Sequence, residues 1–138
     1  MGYNTYTNIY SVVGEKLMRA NIPEKWLNMI EEKIYVDLEL IWLNKRLISS
    51  EKNGTRGYTK HLESIVKEKI QARIEVSDFL RKNNIKVGDP IPEDDLFVEY
   101  HYSCKVDGGF KEGVMKFWKA AIKYKMKKRL GKYFIQKR

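Results

Sequence analysis

The sequence contains a single cysteine and only three prolines among its 138 residues. One cysteine cannot form an internal disulfide bond or a thiolate metal cage, so we expect a protein of a reducing compartment, the cytoplasm. The sequence also lacks the basic and then apolar segments of a secretion signal, and no run approaches the roughly 18 uncharged apolar residues of a membrane span. These absences argue against a secreted protein and against a membrane protein.

Acidic residues are missing from one region, the last 26 residues, which hold ten lysines or arginines. The 112 residues before it hold 17 basic and 18 acidic residues, so the net charge of +9 comes from this region. Its basic residues alternate with aromatic and aliphatic ones, which predicts an ordered element and excludes a solvated low-complexity tail. The composition, 43% hydrophobic and 33% charged, is that of a globular chain, and its length predicts a single domain, residues 1–138.

Apolar periodicity near 3.6 predicts a mainly α fold that begins with three helices. The first is a short N-terminal helix over residues 5–20, and the second runs from Pro23 to about residue 50. Polar and glycine-rich residues 51–57 predict a loop, and the third helix runs from Thr59 to about residue 82. The second and third helices are therefore expected to form a long helical hairpin.

Four apolar residues of the second helix fall seven apart, as in one seam of a coiled coil: Leu27, Ile34, Ile41 and Ile48. The companion positions include Asp37 and Asn44, which break the second seam that a parallel coiled coil needs. The pattern therefore favours an antiparallel partner within the same chain over a zipper between two copies.

Residues 96–106 alternate between apolar and polar side chains, which predicts a strand within a small β element. A single strand cannot satisfy its own backbone hydrogen bonds. Three partners fit: residues 85–87, the residues after the turn at Gly108, or a second copy of the chain. The last alternative would make the protein a homodimer.

The basic region is expected to form an amphipathic C-terminal helix from Glu112 to Tyr133. At 100° per residue its apolar residues lie on one broad side: Val114, Met115, Phe117, Trp118, Ala121, Ile122, Tyr124 and Met126. Opposite them, every third or fourth residue is a lysine, from Lys116 to Lys127. At this spacing Phe117 and Trp118 are expected in the core, although aromatic rings beside lysines can also stack on bases.

The predicted strand contains three residues of types that catalytic sites use: Glu99, His101 and Cys104. A base such as histidine can deprotonate a nearby thiol. Strand alternation, however, places Cys104 on the face opposite Glu99 and His101. We therefore expect Cys104 to be buried and inert. An enzyme that uses Glu99 and His101 is the third of our functional hypotheses.

Four carboxylates precede the strand, but their spacing matches no calcium loop: Asp89, Glu93, Asp94 and Asp95. Solvated turn residues explain them equally well, so no metal site is predicted. No phosphate-binding glycine loop, paired metal histidines or nucleophile motif occurs, and no cofactor is predicted.

The leading hypothesis is a non-catalytic nucleic-acid-binding protein that contacts phosphates through the basic helix. The predicted contacts are Lys116, Lys119, Lys123, Lys125, Lys127, Lys128, Arg129 and Lys132. Lysine outnumbers arginine eight to two in the last 26 residues, which argues against base-specific reading. The alternative is a small inhibitor or adaptor, such as one encoded by a phage, that docks on an acidic protein surface through the same helix or through an exposed strand edge. Neutralisation of these cations by carboxylates of the same chain would remove the reason to expect such a ligand.

Overall fold

The computed structural model describes residues 6–8, 22–54 and 56–134. In these ranges the chain forms a helical hairpin, a small antiparallel sheet and a third helix that returns to pack on the hairpin. The prediction of a mainly α fold with a small β element is therefore confirmed. None of the described helices combines the length and the apolar character that crossing a bilayer requires.

The first arm of the hairpin, α1, spans Glu24–Asn53. Pro23 precedes it, where a missing N–H has no cost, and Glu24 places a carboxylate in the first turn. The helix ends at Gly54, whose left-handed φ of 74° allows its N–H to bond to Ser50 O. The predicted start of this helix is confirmed.

The second arm, α2, spans Arg56–Lys82 and packs against α1 in the antiparallel sense. The hydroxyls of Ser50 and Thr59 lie in contact beside the turn. The predicted loop over residues 51–57 is wrong in extent, because α1 continues to Asn53 and α2 begins three residues before Thr59. A reversal built on the left-handed Gly54 needs fewer residues than the polar composition suggested.

The sheet is built on a hairpin of β4, Phe97–Val106, and β5, Gly109–Trp118. Gly108 and Gly109 make the turn between them with φ values of 88° and 142°, which L side chains rarely adopt. The predicted strand is thus confirmed over nearly its full length.

Three short strands complete the sheet: β1, Tyr6–Asn8, beside β5, and β2, Ile85–Val87, and β3, Ile91–Pro92, beside β4. The strand order is β1-β5-β4-β2, with β3 also on β4. Both intramolecular partners that the sequence allowed for the predicted strand are therefore used together.

Two predicted helices need correction. Residues 6–8 of the expected N-terminal helix form β1, and residues 9–20 lie outside the described residues. Residues 112–118 of the expected C-terminal helix belong to β5, and the helix itself, α3, spans Lys119–Gly131. A single turn of 3-10 helix follows at Lys132–Phe134.

The side chains of β5 alternate as a strand requires. Gly113, Met115 and Phe117 are buried on the face that meets the helices, whereas Trp118 is 53% exposed on the other face. The prediction of a core position is confirmed for Phe117 and wrong for Trp118. The helical wheel placed the two residues on one side, but consecutive residues of a strand point to opposite faces.

The core has two parts. The larger part lies between the sheet and the open end of the hairpin, away from its turn. There Tyr100, Tyr102 and Phe117 meet Ile30 and Tyr35. The smaller one lies beside the far end of the hairpin and includes Leu43, Leu62, Ile65 and Leu130. Because Leu130 is the one buried residue of α3, this helix joins the second part of the core with little apolar surface.

Candidate nucleic-acid interface

The third helix has two chemically different sides, as its 100° periodicity requires. The side toward the hairpin carries Ile122, Met126 and Leu130, which pack on the core. The same side also carries Lys125 and Arg129, which are only partly exposed. The outward side carries the exposed residues of the helix, among them Lys123, Tyr124, Lys127 and Lys128. The basic residues of this helix therefore divide into two groups.

Arg129 is the centre of the inward group. Its Nη1 and Nη2 donate to the two Glu32 oxygens at 2.9 and 3.0 Å. Its Nε and Nη2 donate to the two Glu39 oxygens at 2.5 and 3.1 Å. The guanidinium thus forms a forked pair with each of two carboxylates of α1, a geometry that lysine cannot reproduce.

Glu39 is fully buried and also receives Lys69 of α2, whose Nζ lies 2.9 Å from Glu39 Oε1. Two cations from two different helices therefore compensate one buried carboxylate. Burial on its own lowers the pKa of Arg129, but the hydrogen bonds to Glu32 and Glu39 outweigh burial and leave that pKa raised. The guanidinium stays charged, and the Glu39 carboxylate of α1 is joined to α3 by Arg129 and to α2 by Lys69.

Two further lysines of the predicted contact set pair with carboxylates of the same chain. Lys125 Nζ lies 3.1 Å from Glu31 Oε2 on α1, and it also lies 5.0 Å from the centre of the Tyr35 ring. Lys116, which belongs to β5 and not to the helix, lies 2.9 Å from Glu93 Oε1. Lys116, Lys125 and Arg129 therefore do not present free charge to a ligand.

The remaining members of the predicted set make no ion pair with any carboxylate in the described ranges. Lys119 donates to the backbone oxygen of Asp94 at 3.1 Å. Lys128 lies 5.7 Å from the centre of the Tyr124 ring, and Lys132 lies 5.1 Å from that of Tyr133. Lys123 and Lys127 are exposed on the outward side of the helix. The cationic surface consists of five residues: Lys119, Lys123, Lys127, Lys128 and Lys132.

The end of α3 is fixed by a contact that the sequence analysis did not foresee. Tyr133 Oη donates to Glu68 Oε2 at 2.6 Å, and His61 Nε2 lies 2.7 Å from Tyr133 O. Burial, together with the bond to Glu68, raises the pKa of Tyr133 to about 12. Phe134 meets Trp42 and the His61 ring edge to face. His61, to which the sequence assigned no role, thus helps to fix the last turn.

Sequence reasoning also missed the acidic side of α1 on which α3 lies. Its clearest signal was Glu39, which sits between Leu38 and Leu40 in an apolar stretch of helix. A carboxylate that a helix turns toward the core needs a cation as partner. Identifying that cation required the fold, because Arg129 lies 90 residues further along the chain.

The candidate catalytic residues occupy the positions that strand alternation predicted. Cys104 is fully buried, as expected, and burial raises the pKa of its thiol to about 11. His101 Nε2 lies 3.3 Å from Glu99 Oε1 on the opposite face of β4, where His101 is exposed. The thiol is therefore separated from both groups by the sheet.

The acidic segment before β4 has structural roles. Asp94 Oδ1 accepts hydrogen bonds from the backbone N–H groups of Leu96 and Phe97 at 2.7 and 2.8 Å, which lower the pKa of its carboxyl. Glu93 pairs with Lys116. Within the described residues, no three histidine, cysteine or acidic side chains are grouped as a metal site would need.

These contacts define a helical hairpin packed on a small antiparallel sheet. The basic helix α3 is held on the acidic side of α1. The chain belongs to the YhjD protein family, whose model matches residues 21–138. Comparison with curated proteins and with solved structures gives no match.

The Arg129 pair predicts a pH dependence. The hydrogen bond from Arg129 is the largest influence on the pKa of Glu32 and holds it below the usual value of a glutamate. A carboxyl whose pKa is lower in the folded state stabilises the fold above its unfolded pKa, and this contribution is lost as the pH falls through the folded pKa. Because the Glu32 side chain is 39% exposed, water screens the pair and the contribution is about 1 kcal/mol or less.

Glu32→Gln is therefore expected to be less stable than the wild type at pH 7, and this deficit should shrink as the pH falls through the folded pKa of Glu32 and vanish below it. Urea unfolding at a series of pH values measures the difference. Glu51→Gln, an exposed change on the same helix, serves as the control and should follow the wild type throughout. A deficit of Glu32→Gln that does not change with pH would show that the carboxylate charge is not its cause.

Proposed function

We propose that this chain is a non-catalytic nucleic-acid-binding protein whose cationic surface contacts phosphates without strong sequence specificity. The observation that carries the proposal is the division of the basic residues of α3. Lys125 and Arg129 are neutralised by α1, whereas Lys123, Lys127 and Lys128 face outward without a carboxylate in the described ranges. Internal pairing therefore explains part of the positive charge and leaves the outward part for a polyanion.

Phosphates are a suitable partner for these residues. A helix that presents lysines three to five residues apart carries positive charge at steps of about 4.5–7.5 Å along its axis. Each lysine that neutralises a phosphate releases a condensed counterion, which is the main source of sequence-independent affinity. The exposed lysines are also free to move, so they can adapt to phosphates in different positions.

The division of the charges also bears on specificity. Bidentate reading of a guanine edge is typically done by arginine. The described arginine of α3 is Arg129, and its guanidinium is occupied by Glu32 and Glu39. The outward side offers lysines, which act on phosphates as point charges. We therefore expect affinities that depend on charge and salt more than on sequence, in a cytoplasmic protein.

A second candidate function is docking on another protein as an inhibitor or adaptor. The observation in its favour is the apolar stripe that the sequence placed along α1. Its first half, with Leu27 and Ile34, packs against the core, whereas Ile41 and Ile48 are 54% and 58% exposed beyond it. Exposed apolar residues on one helix are a common feature of protein docking sites.

One experiment separates the two candidates. The triple variant Lys123→Gln, Lys127→Gln, Lys128→Gln is compared with a control that loses the same charge from the hairpin, Lys45→Gln, Lys52→Gln, Lys67→Gln. Binding to a labelled 12-nucleotide oligonucleotide in 50 mM salt is followed by fluorescence anisotropy. The proposal predicts a loss of tenfold or more for the α3 variant and less than threefold for the control.

Equal losses in both variants would mean that only the total charge matters. Absence of measurable binding by the wild type would contradict the proposal outright. A specific protein partner that survives nuclease treatment, and that is lost in Ile41→Ser, Ile48→Ser but kept in the triple lysine variant, would favour the docking function.

A further inference from the structure

Two large aromatic side chains lie exposed beside the cationic surface. Tyr124 is 65% exposed on the outward side of α3, and Trp118, the residue directly before that helix, is 53% exposed. The sequence predicted both residues in the apolar side of a longer helix. Neither ring belongs to the buried core, so core packing does not explain why these two positions carry large aromatic side chains.

The outward position of Trp118 follows from the register of the sheet. It is paired with Phe97 of β4 on the face that points away from the helices. Lys116 of β5 lies on the same face, with its Nζ 4.9 Å from the centre of the Phe97 ring. Lys119, the next residue after Trp118, begins the cationic surface.

Tyr124 is placed outward by the helix itself. Ile122 and Met126 on either side of it turn toward the core, and Tyr124 turns away with Lys123 and Lys127. Lys128 holds its ammonium group 5.7 Å from the ring centre. An exposed ring among cations can bind the face of a base while the cations bind the adjoining phosphates.

We propose that the ligand is a single-stranded nucleic acid, with unpaired bases stacked on Tyr124 and Trp118 and its phosphates bound by the lysines between them. The inference rests on the proposed function and narrows it to one class of nucleic acid. In a duplex the faces of the bases are hidden by stacking, so a duplex could use the lysines but not the rings. Stacking is tolerant of sequence because every base has a face, which agrees with the absence of an outward arginine on α3.

The distance along the helix suits a short stretch of strand. Tyr124 lies six residues after Trp118, the N-cap of α3, which is about 9 Å along the helix axis. At roughly 3.4 Å per stacked nucleotide, this distance spans about two to three nucleotides. Two phosphate-binding lysines, Lys119 and Lys123, lie within this interval.

The test compares oligo(dT)12 and oligo(U)12, each with an abasic 12-mer of the same backbone and charge, and with a 12-base-pair duplex. The abasic strands keep every phosphate and remove every base. The proposal predicts that the wild type binds at least one of the two base-carrying strands tenfold or more tighter than its abasic counterpart and than the duplex. Tenfold corresponds to about 1.4 kcal/mol, which lies within the contribution expected from stacking of a single base.

Variants of the two rings locate the effect. Tyr124→Ala and Trp118→Ala should reduce the preference for the base-carrying strand by threefold or more each, whereas Tyr124→Phe and Trp118→Phe should keep it. Phe110→Ala is the matched control, because Phe110 is 64% exposed at the opposite end of β5. Its preference should equal that of the wild type.

The outcomes also separate this inference from the function on which it rests. If the strands with bases, the abasic strands and the duplex all bind equally and with the same salt dependence, the single-strand inference is overturned and the phosphate-binding function stands. If none of them binds, both are overturned. An equal loss in Phe110→Ala would likewise contradict the assignment of the stacking to Tyr124 and Trp118.

Discussion

Replacing Arg129 with alanine is expected to lower the free energy of unfolding by about 3 kcal/mol and the melting temperature by roughly 10 °C. The cause is Glu39, which is fully buried and would keep only Lys69 as a compensating cation. Removing one partner of a buried ion pair leaves charge that water cannot reach. The loss includes the docking of α3, because little apolar surface holds this helix.

Two variants make the measurement specific. Lys128→Ala removes the same charge from the next residue but from an exposed position, so its stability should stay within about 0.5 kcal/mol of the wild type. Arg129→Lys should be intermediate, because an ammonium group cannot make forked pairs with two carboxylates. If Arg129→Ala were as stable as Lys128→Ala in urea unfolding, the pairs with Glu32 and Glu39 would not hold α3 in place.

The second large effect is expected at Gly113 in β5. This residue lies directly opposite Tyr102 of β4, and the Tyr102 ring covers the space that a Cβ at Gly113 would occupy. Tyr102 is itself 3% exposed, so its ring is buried and can move away from Gly113 only by shifting within the core. Gly113→Ala is therefore expected to lower the free energy of unfolding by about 2–3 kcal/mol through overpacking.

Gly131→Ala is the control for that substitution. Nothing lies within 4 Å of a Cβ built at Gly131, and the residue ends a helix, in which alanine is favoured over glycine. Its stability should equal or exceed that of the wild type. Thermal unfolding of the two variants side by side measures the difference, and a Gly113→Ala protein as stable as Gly131→Ala would contradict the packing of Tyr102 on Gly113.

The helical hairpin could be predicted because residues at the ends of its helices mark where each helix begins or ends. Pro23 and Glu24 mark the start of α1, and Asn84, with a left-handed φ of 54°, follows the end of α2. Capping depends on a few neighbouring residues, so it can be read without knowledge of the fold. The exact turn between the arms depended on one left-handed glycine, which composition does not locate.

The second long strand could not be predicted in the same way. Residues 114–118 contain apolar side chains that fit one side of a helix as well as the core face of a strand. Tertiary pairing with β4 decides between the two, because it satisfies the backbone of both strands. Gly113, in the middle of β5 and directly before these residues, was the local sign of a strand with a close neighbour.

The candidate site was predicted in part. The outward lysines of α3 were in the expected set, but the sequence also included Lys116, Lys125 and Arg129, which pair within the chain. Their partners come from other elements, so no local pattern identifies them. Neutralisation by carboxylates of the same chain would have removed the reason to expect a ligand. It applies to the inward-facing cations and not to the outward-facing lysines of α3.

The salt dependence of oligonucleotide binding tests the central claim, that outward lysines of α3 contact phosphates, most directly. The logarithm of the association constant is plotted against the logarithm of the salt concentration for the wild type and for Lys123→Gln, Lys127→Gln, Lys128→Gln. With about 0.7 counterions released for each phosphate contact on a single strand, the slope should become shallower by about 2 in the variant. A slope near zero in the wild type, or the same slope in both proteins, would contradict the account.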